Sequence, residues 1–162
     1  MAQTVGILGG GQLARMMAIA GAPRGLRFRV VDTVADACAS QVAPLTCADY
    51  NDFDAITRFS DGIDVVTFDF ENVPADTAMF LASRVPVFPN PQALAVAQDR
   101  LEEKQLFRRL GMTTPEFATV DSREDLEAGV AKVGFPCILK TRRLGYDGKG
   151  QIRLKSPDDL NA

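Results

Sequence analysis

Histidine is missing altogether from the 162 residues. Catalysis by Ser-His-Asp or Cys-His pairs therefore has no base within this sequence, and imidazole-ligated metal centres are excluded with it. Any chemistry must rest on Lys, Arg, carboxylates, Tyr and backbone donors. Cysteine is nearly as scarce. Cys38, Cys47 and Cys137 are odd in number and lack CxxC spacing, so no disulfide framework is expected. Cys137 lies in an apolar run and reads as a small core residue. No apolar stretch approaches the roughly 18 residues of a membrane span. No basic segment precedes an apolar signal region, because Val5 to Leu8 runs straight into glycines. A cytoplasmic protein is expected. Excess positive charge is absent too: 18 Lys and Arg face 21 Asp and Glu, for a net charge of -3. That balance disfavours nonspecific nucleic-acid binding. The cations gather around 100–109 and 140–155, a distribution suited to a small anionic ligand.

The densest of these stretches is Lys140-Thr-Arg-Arg-Leu-Gly-Tyr-Asp-Gly-Lys-Gly-Gln151, with four cations and three glycines in twelve residues. It follows the apolar run Phe135 to Leu139. A strand ending at Lys140 would fix that cation, and Gly145, Gly148 and Gly150 would let backbone N–H groups turn toward a polyphosphate. Asp147-Gly148 is equally a two-residue turn signal. On composition alone, phosphate clamp and basic hairpin are evenly matched.

The first hundred residues alternate apolar runs with helical spacing, which predicts an α/β fold with a parallel sheet. Strands are expected at Thr4–Leu8, Arg27–Val31, Ile63–Phe68 and Val85–Phe88. Helices are expected at Gln12–Ala20, Asp52–Phe59, Pro74–Ala82 and Ala93–Leu110. Gly111 to Pro115 reads as a hinge, giving domains 1–110 and 111–162. Beyond it, Phe117–Val120 is an expected strand, and Ser122 to Asp125 is a capping-box variant that opens a helix ending near Gly134. Phe135–Thr141 and Gln151–Leu154 are expected strands flanking the glycine loop. Ser156-Pro157 starts a further helix. The chain ends there, and the second domain is expected to be incomplete.

Gly9-Gly-Gly-Gln-Leu-Ala14 satisfies G-x-G-x-x-G/A between a strand and a helix, with Asp32 about 20 residues on. The pattern admits a dinucleotide, the phosphate of another ligand at a helix N-terminus, or an empty tight turn. Asp69-Phe-Glu-Asn-Val-Pro74 follows a strand, so Glu71 falls at the C-terminal edge where open α/β sheets bind ligands. Its structural alternative is a helix cap. Gln98-Asp-Arg-Leu-Glu-Glu-Lys104 reads as a solvated helix face.

Taken together and in this order, Gly9 to Met16, Phe70-Glu-Asn-Val-Pro74, Gln98-Asp-Arg100, Leu139 to Arg143 and Gly145 to Gln151 resemble the 5-(carboxyamino)imidazole ribonucleotide synthetase family of ATP-grasp ligases. The resemblance spans the chain. Ala14 departs from the family's usual glycine, but alanine is the permitted variant there.

The resemblance implies a Rossmann-like pre-ATP-grasp domain followed by the start of an ATP-grasp α+β subdomain. It implies ATP contacts at Arg100, Lys140, Gly145, Tyr146, Asp147, Gly148, Lys149, Gly150 and Gln151. Gly11, Gln12, Leu13 and Glu71 would meet aminoimidazole ribonucleotide. The implied reaction is ATP-dependent carboxylation with bicarbonate in purine biosynthesis. Magnesium is expected, with ligands in a C-terminal half not contained here, so no metal ligand is assigned and the isolated chain is expected to be inactive. The full-length family is expected to be homodimeric, without nucleic-acid or membrane partners. Alternatives are another ATP-grasp ligase or formyltransferase, or a Rossmann NAD-binding module.

Overall fold

The computed structural model describes residues 2–145 and 148–161. Two compact units divide the chain, Met1–Ala95 and Val96–Ala162.

The first unit is the expected α/β fold. Strands β1 (Thr4–Leu8), β2 (Arg27–Asp32), β3 (Leu45–Cys47) and β4 (Val65–Phe68) form a parallel sheet in the order β3-β2-β1-β4. Ile7 pairs with Val30 on one side and with Thr67 on the other. Helices α1 (Gln12–Gly21), α2 (Phe53–Ser60) and α3 (Ala75–Ala82) accompany it. Two apolar clusters make the core. Leu8, Val31, Ile56, Phe59, Val66 and Leu81 belong to one, and Ile7, Ala14, Ala18 and Val30 to the other. Ala14 is fully buried there, so its methyl group contributes to packing.

Two expectations change in this unit. β3 goes unpredicted, being three residues long without periodic signal. The strand expected at Val85–Phe88 shrinks to a single bridge between Val66 and Val87. Val66 N–H donates to the Pro86 carbonyl and Phe88 N–H to the Val66 carbonyl. Pro86 and Pro89 have no N–H with which to extend the ladder.

The helix expected at Ala93–Leu110 is in fact two, α4 (Pro91–Ala97) and α5 (Arg100–Arg109). In the second unit, α5 is followed by α6 (Arg123–Val133) and an antiparallel hairpin of β5 (Cys137–Lys140) and β6 (Gln151–Leu154). Ser122 caps α6 by accepting from Asp125 N–H at 3.1 Å, and Asp125 returns the bond to Asp121 N–H at 3.2 Å. Gly134, at φ +82°, ends the helix. Phe117–Val120 forms no ladder; instead the Phe117 ring packs under Arg108 at 4.3 Å and Lys104 at 5.4 Å. The helix expected after Ser156 is a 3-10 turn, Pro157–Asn161. Asp159, rather than Ser156, ties its start by accepting from the N–H groups of Lys155 and Ser156.

Candidate functional site

In the first unit, sheet order fixes the site. The chain moves from β1 outward to β2 and β3, then returns to place β4 on the other side of β1. The C-terminal ends of β1 and β4 thus flank a topological switch point, where open α/β sheets bind ligands. The glycine turn follows β1, and Asp69 to Glu71 follow β4. Gly11 N–H donates to Asp69 Oδ2 at 2.8 Å, which brings the two segments together. Gln12, Leu13 and Glu71 are exposed, Leu13 by 58%. Gly11 is half-buried beside them.

Carboxylates strap this turn. Gly10 N–H donates to Asp32 Oδ2 at 2.6 Å, and Tyr50 Oη lies 3.5 Å from the same oxygen. Asp32 Oδ1 accepts from Val34 N–H. Gly9 has φ +97°, and a Cβ at that position would collide with Asp69 Oδ1. That buried oxygen has no hydrogen-bond partner. Burial pushes the Asp69 carboxyl above its ordinary range, Gly11 and Ala14 N–H groups oppose the shift, and the Asp32 charge adds to it. Burial also drives the Tyr50 hydroxyl well up, helped by Asp32 and Asp69. The Gly10 and Gly11 amides, the donors that a phosphate would seek in such a turn, are thus engaged by carboxylates. Asp32, the residue that a dinucleotide ribose would need, is likewise engaged by the turn itself.

The second unit builds its site on the hairpin. Lys140 pairs with Gln151, and Thr141 N–H donates to the Gly150 carbonyl at 2.8 Å. A two-residue turn at Asp147-Gly148 would pair Lys140 with Lys155. The observed register places ten residues between that pair, so Asp147-Gly148 is not a two-residue connection between the strands. Gly148 and Gly150 have φ of +81° and +66°, where glycine is favoured, and a Cβ on Gly150 would crowd Thr141 Oγ1 at 2.5 Å. Tyr146 and Asp147 lie outside the described residues. Lys140, Gly148, Lys149, Gly150 and Gln151 are exposed.

Asp99 corrects the reading of 98–104 as a solvated face. It is 5% exposed and has extended backbone at the N-cap of α5. Its Oδ1 accepts from Leu101 N–H at 2.9 Å and Arg142 Nε at 3.1 Å, while Oδ2 accepts from Arg142 Nη2 at 2.6 Å. Arg143 Nε stands 3.7 Å away. The Arg142 hydrogen bond, above all, holds the Asp99 carboxyl below the usual range against its own burial. Arg100, the first residue of α5, donates from its backbone to the Arg142 carbonyl at 3.0 Å and from Nη2 to the Gly145 carbonyl at 2.5 Å. Arg100 and Lys140 line one cavity of about 450 Å³ in this unit. Nothing in sequence spacing marks Asp99, whose partner lies 43 residues away.

The three cysteines are free, and Cys137 is only half-buried rather than in the core. Among the described residues, no group of three or more His, Cys, Asp or Glu could hold a metal ion. No helix there is long and apolar enough to cross a membrane.

A four-stranded parallel sheet with a glycine turn at its switch point, followed by a unit in which Arg100, Lys104, Lys140 and Arg142 line one cavity, fits a pre-ATP-grasp domain leading into ATP-grasp structure. The chain belongs to the ribonucleotide synthetase preATP-grasp domain family, whose model matches residues 1–98; an ATP-grasp domain model matches residues 105–162. It is 49% identical over 156 residues to N5-carboxyaminoimidazole ribonucleotide synthase of Pseudomonas aeruginosa, covering 96% of this chain and 43% of that protein. N5-carboxyaminoimidazole ribonucleotide synthetase of Thermus thermophilus superposes with a TM-score of 0.89 at 48% identity, covering 97% of this chain and 42% of its own. The Staphylococcus aureus N5-carboxyaminoimidazole synthetase complexed with ADP gives a TM-score of 0.94 at 34% identity, covering 99% and 44% respectively. The chain therefore spans less than half the length of these relatives.

Proposed function

We propose that the chain serves ATP-dependent carboxylation of 5-aminoimidazole ribonucleotide, with the second unit receiving ATP and the first the ribonucleotide. The observation that carries this reading is the convergence of Arg100 and Lys140 on one cavity beside the glycine-rich hairpin. Lys140 supplies a point charge to phosphate oxygens, and Arg100 a planar donor. The glycine-rich segment between β5 and β6 serves the β- and γ-phosphates in this reading. In the first unit Gly11, Gln12, Leu13 and Glu71 contact the ribonucleotide.

In the proposed reaction a bicarbonate oxygen attacks the γ-phosphorus and ADP departs. The resulting carboxyphosphate breaks to carbon dioxide and inorganic phosphate. The amine nitrogen of aminoimidazole ribonucleotide then bonds to the carbon and loses a proton to give the carbamate. Phosphoryl transfer depends mainly on positioning and on neutralising spread negative charge, which suits Arg, Lys and backbone donors. Magnesium accompanies the nucleotide in such reactions. The described residues offer no carboxylate cluster to hold it, and no step above is routed through it. Self-association as a homodimer belongs to the same reading.

Calorimetric titration with ATP, with NADH and with aminoimidazole ribonucleotide tests the proposal. It expects saturable binding of ATP and of the ribonucleotide and none of NADH. Binding of NADH alone would replace it with a Rossmann cofactor module.

A further inference from the structure

We infer that Asp99 is a positioning residue for the nucleotide site, acting as a latch that holds Arg100 and the base of the glycine loop in one arrangement. The inference rests on the ATP reading above for what is positioned, but on geometry alone for the latch. One carboxylate joins two segments far apart in sequence. It caps α5 through Leu101 N–H and accepts the two-point fork of Arg142, which stands just past the end of β5. Forked arginine bonds fix direction as well as distance. The helix start and the strand end are then tied a second time, through Arg100 N–H to the Arg142 carbonyl, and a third time, through the Arg100 guanidinium to the Gly145 carbonyl.

Asp99 does not line the cavity that Arg100 and Lys140 share. Its effect passes through Arg142 to the backbone, and from there to the direction of Arg100. Only 7% of its side chain is exposed, against 46% of Arg142, so the carboxylate end of the pair is the shielded one.

Asp99→Asn separates this role from simple capping, because asparagine caps helices about as well as aspartate but carries no charge for Arg142. Two readouts on the 162-residue chain are needed: hydrogen exchange at the Arg100 and Leu101 amides, and ATP affinity. The expected result is exchange at Arg100 about tenfold faster, near-normal protection at Leu101, and ATP binding about tenfold weaker, equivalent to about 1.4 kcal/mol. Exchange and affinity both within twofold of wild type would overturn the latch. Faster exchange with unchanged affinity would also overturn it, by reducing Asp99 to a structural role. If wild type itself binds no ATP, the nucleotide reading fails, while Arg100 exchange still decides whether the latch exists. Should Asp99→Asn not fold, Arg142→Lys keeps the charge, loses the fork and is judged by the same readouts.

Discussion

The first unit holds its glycine turn with carboxylates that face backbone amides, whereas the second holds the base of its loop with a carboxylate that faces arginine. Asp32 and Asp69 accept from the backbone amides of Gly10 and Gly11. Asp99 has Arg142 at 2.6 Å and Arg143 at 3.7 Å. The surroundings differ as well. Strands β1, β2 and β4 stand in two apolar clusters, while among the described residues of the second unit only Val130 and Leu154 are buried apolar side chains. The two carboxyls are displaced in opposite directions, Asp69 upward by burial and Asp99 downward by the Arg142 hydrogen bond.

Gly9→Ala should break the first arrangement most severely. It forces a methyl group into Asp69 and an L residue into positive φ. The expected loss is about 3 kcal/mol of first-unit stability, read from urea unfolding followed by first-unit amide signals. An effect below the error of the measurement would mean that the turn is not held by Asp69.

Arg142→Ala attacks the second arrangement by leaving Asp99 buried without its main counterion. The expected loss lies below that of a fully buried pair because Arg142 is half-exposed. Second-unit amides in the same urea series measure it. Unchanged unfolding would show that amides alone satisfy Asp99, as they do Asp69.

Asp99→Asn and Asp69→Asn, compared at pH 7, sharpen the contrast. Asparagine removes an ion pair at 99. At 69 it replaces a carboxylate whose charge burial already disfavours. The first is expected to cost about 1–2 kcal/mol and the second less than about 1. Equal costs would erase the distinction.

The smallest effect is the pH dependence, which has opposite signs in the two units. Asp99 has a lowered folded value, so the stability it adds is present above the ordinary aspartate value of about 3.9 and is lost as pH falls through its own lower one. Asp69 has a raised value. Its protonated form favours the folded state below about 3.9, and that contribution is lost as pH rises through its folded value. Carboxyl carbon shifts followed by NMR should show Asp69 titrating above the ordinary aspartate value and Asp99 below it. The reverse order would contradict the assigned causes.

Sequence pattern carried much of the first unit, because β1, α1 and the glycine turn are local features with strong signals. It also placed Lys140 at a strand end and Gly148 and Gly150 between the two strands. What it missed depends on distant partners or on missing donors. Pro86 looked compatible with a strand, yet without an N–H it cannot extend the ladder at Val87. Asp99 looked like one charge among many in a helical run; its burial becomes visible only when Arg142 arrives from 43 residues away. Asp69, two residues before Glu71, carries no local signal of its own, although strand order places it against Gly11. Hairpin register likewise had no local marker, and Asp147-Gly148 suggested a tighter turn than the pairing of Lys140 with Gln151 allows.

The most direct test of the whole account is to titrate the chain with ATP while following backbone amide shifts, in wild type and in Lys140→Ala. Wild type is expected to shift at Lys140, Thr141 and Gly148 to Gln151 and not at Gly9 to Leu13. Lys140→Ala should bind at least tenfold more weakly, as loss of a charged hydrogen bond worth about 1.5–3 kcal/mol requires, with its first-unit spectrum unchanged. Shifts confined to Gly9 to Leu13, or full affinity without Lys140, would contradict the assignment of the nucleotide to the second unit.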